Sequence, residues 1–210
     1  QHVGGDQMTE RKLPEDIDPQ SGYRLPLPDR EGLDPVGRDI YDYFADPDGT
    51  SYVGLWGPGG IRLHSPRVAE HTQSINRYIR REAGIDPRLR EIAVLITARE
   101  HDSQFEWSAH EPEALEQGVS PEIIDIIKHR KPLDGLDDTD ALVIQLGREI
   151  FGGPRVERET FARAVSHFGK RGLVDFVTLM ANYAGTAALL KTFDLQIKPD
   201  WEPLLPKEEI

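Results

Sequence analysis

The sequence predicts an all-α fold, a bundle of seven to eight helices. Between residues 35 and 194 the apolar residues recur at the spacing of amphipathic helices. No run of useful length alternates apolar and polar residues as a strand of a sheet would. A capping residue followed by proline marks three helix starts, at Ser65-Pro66, Asp86-Pro87 and Ser120-Pro121. Helices that follow one another through short loops pack as a bundle.

Each predicted helix has a local signal. The first carries Val36, Ile40 and Phe44 on one stripe, and a turn-rich stretch with five glycines separates it from the second. The helix that opens at Asp86 is apolar enough to be central, and the chain breaks near Asp102 before the next begins. The last helix is the longest and most apolar, and its small residues indicate close contact with another helix. In chain order, the predicted helices are about 35–45, 65–82, 86–101, 104–117, 121–127, 138–151, 157–169 and 172–194.

The ends of the chain differ in composition from the helical part. Residues 1–20 are rich in charged residues, Gly and Pro and have few apolar side chains, so we predict a flexible tail. Residues 21–35 read as an extended arm that lies on the body of the chain or on a partner subunit. We therefore expect one helical domain over 21–197 and an extended tail over 198–210.

Composition excludes several classes of function. The chain has 210 residues, 25 basic and 37 acidic, and a formal net charge of −12. Such a balance argues against nucleic acid or an anionic membrane as the partner, since both need a basic surface. The chain has no cysteine, which excludes a disulfide scaffold, a zinc–thiolate site and a thiol nucleophile. The opening residues do not resemble a signal sequence, so we expect a cytoplasmic location, with export left open because the chain begins with Gln.

The strongest chemical pattern surrounds the break between the two central helices. Glu106 and His110 are four residues apart, so they share one helical face, with Ser103 one turn earlier. A carboxylate beside an imidazole is a general acid–base pair, because it fixes the tautomer of the ring and raises its basicity. Trp107 supplies apolar cover that would shift the pKa of the pair.

Two other interpretations of these residues stay open. Ser103 and Glu106 also fit a capping box, in which the glutamate bonds the Ser103 backbone and does no chemistry. A metal site is the weaker alternative, because a third ligand beside Glu106 and His110, either His101 or His64, has no spacing that demands it. We expect neither a metal nor another cofactor.

Three segments together resemble a known family. They are LREIAVLITAREHDSQFEWSAHEPEALEQGVS at 89–120, LVDFVTLMANYAGTAALLKTFD at 173–194 and GLWGPGGIRLHSP at 54–66. They resemble the carboxymuconolactone decarboxylase family, which includes the alkylhydroperoxidase AhpD-like proteins, and the resemblance covers roughly residues 24–197. It implies an AhpD-like helical fold that assembles as a homo-oligomer, a trimer or hexamer, with active sites near the subunit contacts.

The resemblance also implies roles for individual residues. In the peroxidase branch, two cysteines stand where this chain has Ser103 and Glu106, while Glu91 and His110 match that branch's glutamate and histidine. Without sulfur the thiol cycle of that branch is impossible here, so a peroxidase-type antioxidant function is disfavoured. The remnant, Glu91, Glu106 and His110, is the expected catalytic set.

The decarboxylase branch is therefore the better analogy. We expect cofactor-independent acid–base chemistry on a small cyclic, lactone or aromatic-derived carboxylic acid, in which His110 supplies a proton and Glu106 orients it. Arg99 or Arg90 would bind the substrate carboxylate, and His64 would close over the cleft. The remaining expected contacts of the substrate are Ser103, Trp107 and Tyr183, with Trp56 as a further wall residue. The alternative is a non-catalytic, oligomeric ligand-binding protein on the same fold.

Overall fold

The structure is a computed structural model that describes residues 11–51 and 53–206. All its regular elements are helical, and no strand occurs among the described residues, which confirms the predicted fold class. The eight α-helices are α1 Pro35–Ala45, α2 Pro58–Arg62, α3 Pro66–Arg77, α4 Pro87–Glu100, α5 Gln104–Glu116, α6 Pro121–Lys128, α7 Asp138–Gly152 and α8 Arg158–Phe193. A 3₁₀ turn at Arg30–Gly32 precedes α1, and a wider π turn at Tyr78–Glu82 extends α3.

Helix α4 is the centre of the bundle, as its apolar sequence predicts. Every residue from Arg90 to Arg99 is buried, and the helix packs against α5, α7 and α8. The contact with α7 depends on Gly147, where a Cβ atom would lie 2.7 Å from the Cγ2 atom of Ile96. A side chain at that position would force the two helices apart, so glycine permits their close approach.

Capping explains where several helices begin. The side chain of Asp86 accepts a hydrogen bond from the backbone N–H of Leu89 at 3.0 Å, and Ser120 accepts one from Ile123 at 3.3 Å. Ser65 also precedes its helix but makes no such bond. Helix α8 spans both of the last two predicted helices. The predicted break between them corresponds to Gly169, which interrupts the helix with a φ of 71°, a backbone angle that favours glycine.

The turn-rich stretch contains a helix that the sequence did not predict. Helix α2 lies among the glycines because they allow close backbone contacts: a Cβ atom at Gly59 would lie 2.5 Å from the ring of Phe44. At Gly60 it would lie 2.1 Å from the Leu55 carbonyl oxygen. These contacts hold α2 against α1 and the preceding loop, and they fix the position of Arg62 at its end.

Both ends of the described chain pack on the body. Ile17 is buried and Tyr23 is fully buried, and the Tyr23 hydroxyl donates to the Gly60 carbonyl at 3.0 Å. The extended arm therefore lies on its own chain, and the packed part begins before residue 21. Residues 1–10 of the predicted tail, and 207–210 at the other end, lie outside the described residues. Leu205 is buried in the main core, so the C-terminal segment is attached as well.

Helix α8 is long and apolar enough to cross a bilayer by length and composition, with a mean hydropathy of 1.4 in its best window. Among the described residues, one helix meets this criterion of length and composition. The core helix of a bundle meets the same criterion, and here Leu173, Phe176 and Leu179 lie in the main core. The criterion is therefore weak evidence of a membrane span.

Candidate functional site

A cavity of about 770 Å³ lies between α1, α2 and α3 on one side and α5 and α8 on the other. Its wall combines apolar side chains with an unusual number of ionisable groups. The groups that bear on chemistry are Arg62, Arg80, Arg90, Glu106, His110 and Tyr183. A concave site of this size, with a few convergent polar groups, is where a small molecule binds.

His110 is held by a glutamate from the neighbouring helix. Its Nδ1 lies 2.8 Å from Oε2 of Glu91, so α5 presents the imidazole and α4 the carboxylate. Desolvation by itself would raise the pKa of Glu91, which is fully buried. The hydrogen bond and charge of His110, together with Arg80 and Arg90, outweigh that effect and bring the pKa to about 2. Glu91 is therefore ionised at neutral pH and accepts the Nδ1 proton of the ring.

Two arginines complete the surroundings of Glu91. Arg90 donates from Nε to Oε1 at 2.9 Å, and an Arg80 nitrogen lies 3.8 Å from the same oxygen. A buried carboxylate needs such partners, because an unpaired charge in this position would be strongly destabilising. Glu91 is the centre of a charged network that fixes the orientation of His110.

Glu106 has the opposite electrostatic environment. It is 3% exposed and lines the cavity, and neither carboxyl oxygen accepts a well-formed hydrogen bond. Burial raises its pKa to about 8, against smaller lowering effects of the Ser103 side chain and the Arg62 charge. Glu106 is thus mostly a neutral carboxylic acid at pH 7, on the wall of the same cavity as His110.

The structure corrects two expectations about Glu106. Glu106 does not orient His110, because its oxygens make no hydrogen bond and the ring bonds Glu91 instead. The physical reason is that an ionised carboxylate is a better acceptor than a neutral one. The capping box is also wrong, since the Ser103 backbone N–H donates to the Ala98 carbonyl.

Tyr183 of α8 joins this group, as the sequence predicted. Its ring meets the His110 ring edge-on, with centroids 5.2 Å apart and an interplanar angle of 85°. Arg80 donates a short hydrogen bond to the Tyr183 hydroxyl oxygen. Burial raises the pKa of Tyr183 to about 12, so the hydroxyl stays protonated and can donate in turn.

The expected wall residue Trp56 does not line the cavity, since its indole nitrogen donates to the Gln196 carbonyl at 2.8 Å. Four expected substrate contacts do not line it either. Arg99 donates to the Lys128 carbonyl at 2.8 Å and pairs with Asp102, so it connects the end of α6 to the turn that follows α4. Trp107 is fully buried and donates from its indole nitrogen to Glu111, and Ser103 stands at the start of α5.

The fourth is His64, which does not close over the cavity. It is exposed, and its Nε2 lies 3.2 Å from the hydroxyl oxygen of Tyr23 in the N-terminal arm. The possible third metal ligands are therefore separated from Glu106 and His110, because the His101 ring packs on Phe151. No group of three or more metal-ligating side chains occurs in residues 11–51 and 53–206.

Arg62 and Arg80 of the wall were not predicted from the sequence. Nη2 of Arg62 donates to the Thr186 hydroxyl at 2.7 Å, and burial lowers the pKa of its guanidinium. The signal that was available for Arg62 is its place two residues after the pair Gly59 and Gly60, since paired glycines mark close packing. Arg80 had no local signal, because the π turn that aims it is not visible in the sequence.

Comparison with known proteins finds a family model that is similar to one segment of the chain. Residues 66–146 match the model described as "CMD: Carboxymuconolactone decarboxylase family". No curated protein matches the chain. The matched segment contains Arg80, Arg90, Glu91, Glu106 and His110. The rest of the cavity wall, from α1, α2 and α8, lies outside it.

Proposed function

We propose that this chain, whose residues 66–146 match the model of the carboxymuconolactone decarboxylase family, is an acid–base enzyme for a small organic acid. One observation carries the proposal: a neutral carboxylic acid, Glu106, and an imidazole held by an ionised carboxylate, His110, line one cavity. Two titratable groups whose environments differ in this way have the pattern of a proton donor and a proton acceptor.

His110 is the proton acceptor in this proposal. Because Glu91 accepts the Nδ1 proton, the neutral ring carries its lone pair on Nε2. The carboxylate also stabilises the imidazolium that forms when Nε2 takes a proton from solvent and returns it to Glu106 after each turnover. The buried position of Glu91 keeps the ring from rotating, since both oxygens of Glu91 are engaged.

Glu106 is the proton donor. A carboxylic acid with a pKa near 8 holds its proton at neutral pH, and it transfers that proton more readily than an alcohol or water does. The part of α5 that carries Glu106 also lines the cavity with the apolar side chains of Phe105 and Ala109, which limit access of water to the carboxyl group.

A decarboxylation is the reaction we propose within this class. The bond between the substrate carbon and its carboxylate breaks, and the electron pair moves into the adjacent unsaturated system as an enolate. The Tyr183 hydroxyl and nearby guanidinium groups stabilise the enolate oxygen. Glu106 protonates the carbon, CO₂ leaves, and Glu106 regains its proton from solvent. The reaction consumes one proton for each CO₂ released.

The thiol-dependent branch of the family is a poor alternative for this chain. Reduction of a peroxide through a sulfenic acid needs a cysteine, and the sequence has none. Assembly as a trimer or hexamer, a small-molecule substrate as partner and a cytoplasmic location remain predictions from the sequence and its resemblance.

Turnover of a panel of lactone carboxylic acids tests the proposal, with CO₂ release and substrate loss as the readouts. We expect Glu106→Gln and His110→Gln each to reduce kcat by about 10²- to 10⁴-fold. The matched controls are Glu116→Gln, which is exposed on the same helix, and His71→Gln, which is exposed on α3. Both controls should retain wild-type turnover.

Two outcomes would contradict the enzyme proposal. In the first, Glu106→Gln and His110→Gln turn over an active compound as fast as the wild type. In the second, no compound of the panel is turned over although several bind, which would favour a ligand-binding protein on this fold.

A further inference from the structure

Arg62 is a cavity arginine whose charge is not balanced by an ion pair within residues 11–51 and 53–206. It is the last residue of α2 and is partly buried, and its hydrogen bond goes to the neutral hydroxyl of Thr186. It forms no ion pair with any residue in the described part of the chain, whereas Arg80 and Arg90 both lie against Glu91. Arg62 therefore differs from Arg80 and Arg90.

The acidic side chain of Glu106 in the same cavity does not neutralise Arg62. Arg62 and Glu106 influence one another electrostatically, but no hydrogen bond or ion pair joins them. A guanidinium that is partly desolvated without a countercharge costs free energy, and a bound anion would recover that cost. A carboxylate fits best, because the planar fork of a guanidinium binds both its oxygens.

Part of the cavity wall is apolar. Ile40 and Phe44 of α1 and Val53 of the following loop line the same cavity, as does Phe105 of α5. An apolar ring would pack against these side chains while its acidic group meets Arg62. Arg62 and the α1 residues precede residue 66, so the segment that matches the family does not assign them any role.

We propose that Arg62 anchors a carboxylate group of the substrate and that α1 forms the pocket for the apolar ring that carries it. This inference rests on the proposed function, because it concerns the same cavity. The anchored carboxylate is a group that stays on the substrate, since tight binding of a departing carboxylate would stabilise the ground state. The N-terminal part of the chain then selects the substrate, while α4 and α5 supply the proton transfer.

Binding of benzoate and benzamide to the full chain tests the proposal, with isothermal titration calorimetry as the measurement. The two probes share a ring and differ in charge. We expect the wild type to bind benzoate more tightly than benzamide. Arg62→Met should weaken benzoate binding by about 10- to 100-fold and leave benzamide binding unchanged, because a charge-assisted hydrogen-bonded pair is lost.

Two further variants make the result specific. Arg67→Met removes the same charge from an exposed position on α3 that pairs with Glu70, so benzoate affinity should stay at the wild-type value. Arg62→Lys keeps the charge but not the two-point contact, so it should weaken benzoate binding by several-fold. It also provides the test if Arg62→Met does not fold, as judged by circular dichroism.

The proposal is overturned if the wild type binds neither probe, or binds both equally well. It is also overturned if benzoate affinity survives in Arg62→Met and Arg62→Lys, or if Arg67→Met loses as much affinity. These binding measurements need no turnover, so they are independent of the acid–base proposal. Failure of that proposal would appear instead as undiminished kcat in the Glu106 and His110 variants.

Discussion

Nδ1 of His110 lies 2.8 Å from Oε2 of Glu91, which is nineteen positions earlier in the sequence and on a different helix. The pair that prepares the imidazole for catalysis is therefore formed by the packing of α4 against α5. Glu106, one turn from His110 on its own helix, is free of this pairing and stays neutral. One carboxyl is charged and the other is not, because Glu91 directly contacts His110 and two arginines, whereas the weaker effect of the Arg62 charge on Glu106 does not outweigh burial.

Replacement of Glu91 by Gln should damage both stability and activity. The amide cannot balance the charges of Arg80 and Arg90, and it leaves the His110 ring without its anionic partner. We expect a loss of about 3–5 kcal/mol in the free energy of unfolding, as for other broken buried ion pairs. Urea titration measures this loss, with Glu116→Gln as the control. A change below about 1 kcal/mol would show that the network is not structural.

Stability should depend on pH through Glu106. Its pKa rises from an ordinary 4.5 to about 8 on folding, so the folded state holds more protons between these values. The stabilising contribution of the neutral form is complete below pH 4.5 and is lost as the pH rises to about 8, by at most about 1.4 kcal/mol per pH unit.

Glu106→Gln removes that dependence and has a clear readout. Urea unfolding from pH 5 to 9 should show the variant gaining stability relative to the wild type as the pH increases. A constant difference between the two proteins over this range would mean that Glu106 titrates alike in the folded and unfolded states.

Activity should fall on the alkaline side as Glu106 loses its proton. With a donor pKa of about 8, kcat/KM for any compound that the enzyme turns over should decline tenfold per pH unit above that value. Steady-state rates between pH 6 and 10 measure the decline. A profile that is flat up to pH 10 would exclude Glu106 as the essential acid.

The close approach of α4 and α7 gives a stability prediction that is separate from the chemistry. Gly147→Ala would place a methyl group 2.7 Å from Cγ2 of Ile96, which should cost about 1–3 kcal/mol of unfolding free energy. Gly185→Ala on α8 is the matched control, because its Cβ atom meets nothing within 4 Å. The control should stabilise the protein by about 0.5–1 kcal/mol, since alanine is the better helix former. Equal effects of the two substitutions would refute the packing argument.

The fold was largely predictable from local signals. Proline after a capping residue marked the starts of α4 and α6, and Gly169 separated the two parts of α8, because these residues act through their own backbone geometry. Helix α2 was missed because it has five residues and its glycines resemble a turn until Phe44 and Leu55 pack against them.

The acid–base residues of the site were predictable, but their pairing and several of the other wall residues were not. The helical spacing favoured Glu106 as the hydrogen-bond partner of His110. In the structure the partner is Glu91. The spacing of residues along the sequence relates positions on one helix, whereas the hydrogen bond between His110 and Glu91 joins two helices. Arg62 was missed for a related reason, because its relation to the cavity depends on how α2 packs on α8 through Thr186.

The protonation of Glu106 is the most direct test of this account. Carbon-13 NMR of protein labelled at the glutamate carboxyl carbon would follow each carboxyl from pH 4 to 10, with Glu106→Gln to assign the resonance. We predict one glutamate resonance that titrates with a pKa of about 8 and is missing in the variant. Titration of every glutamate near or below pH 5 would contradict the assignment of Glu106 as the acid.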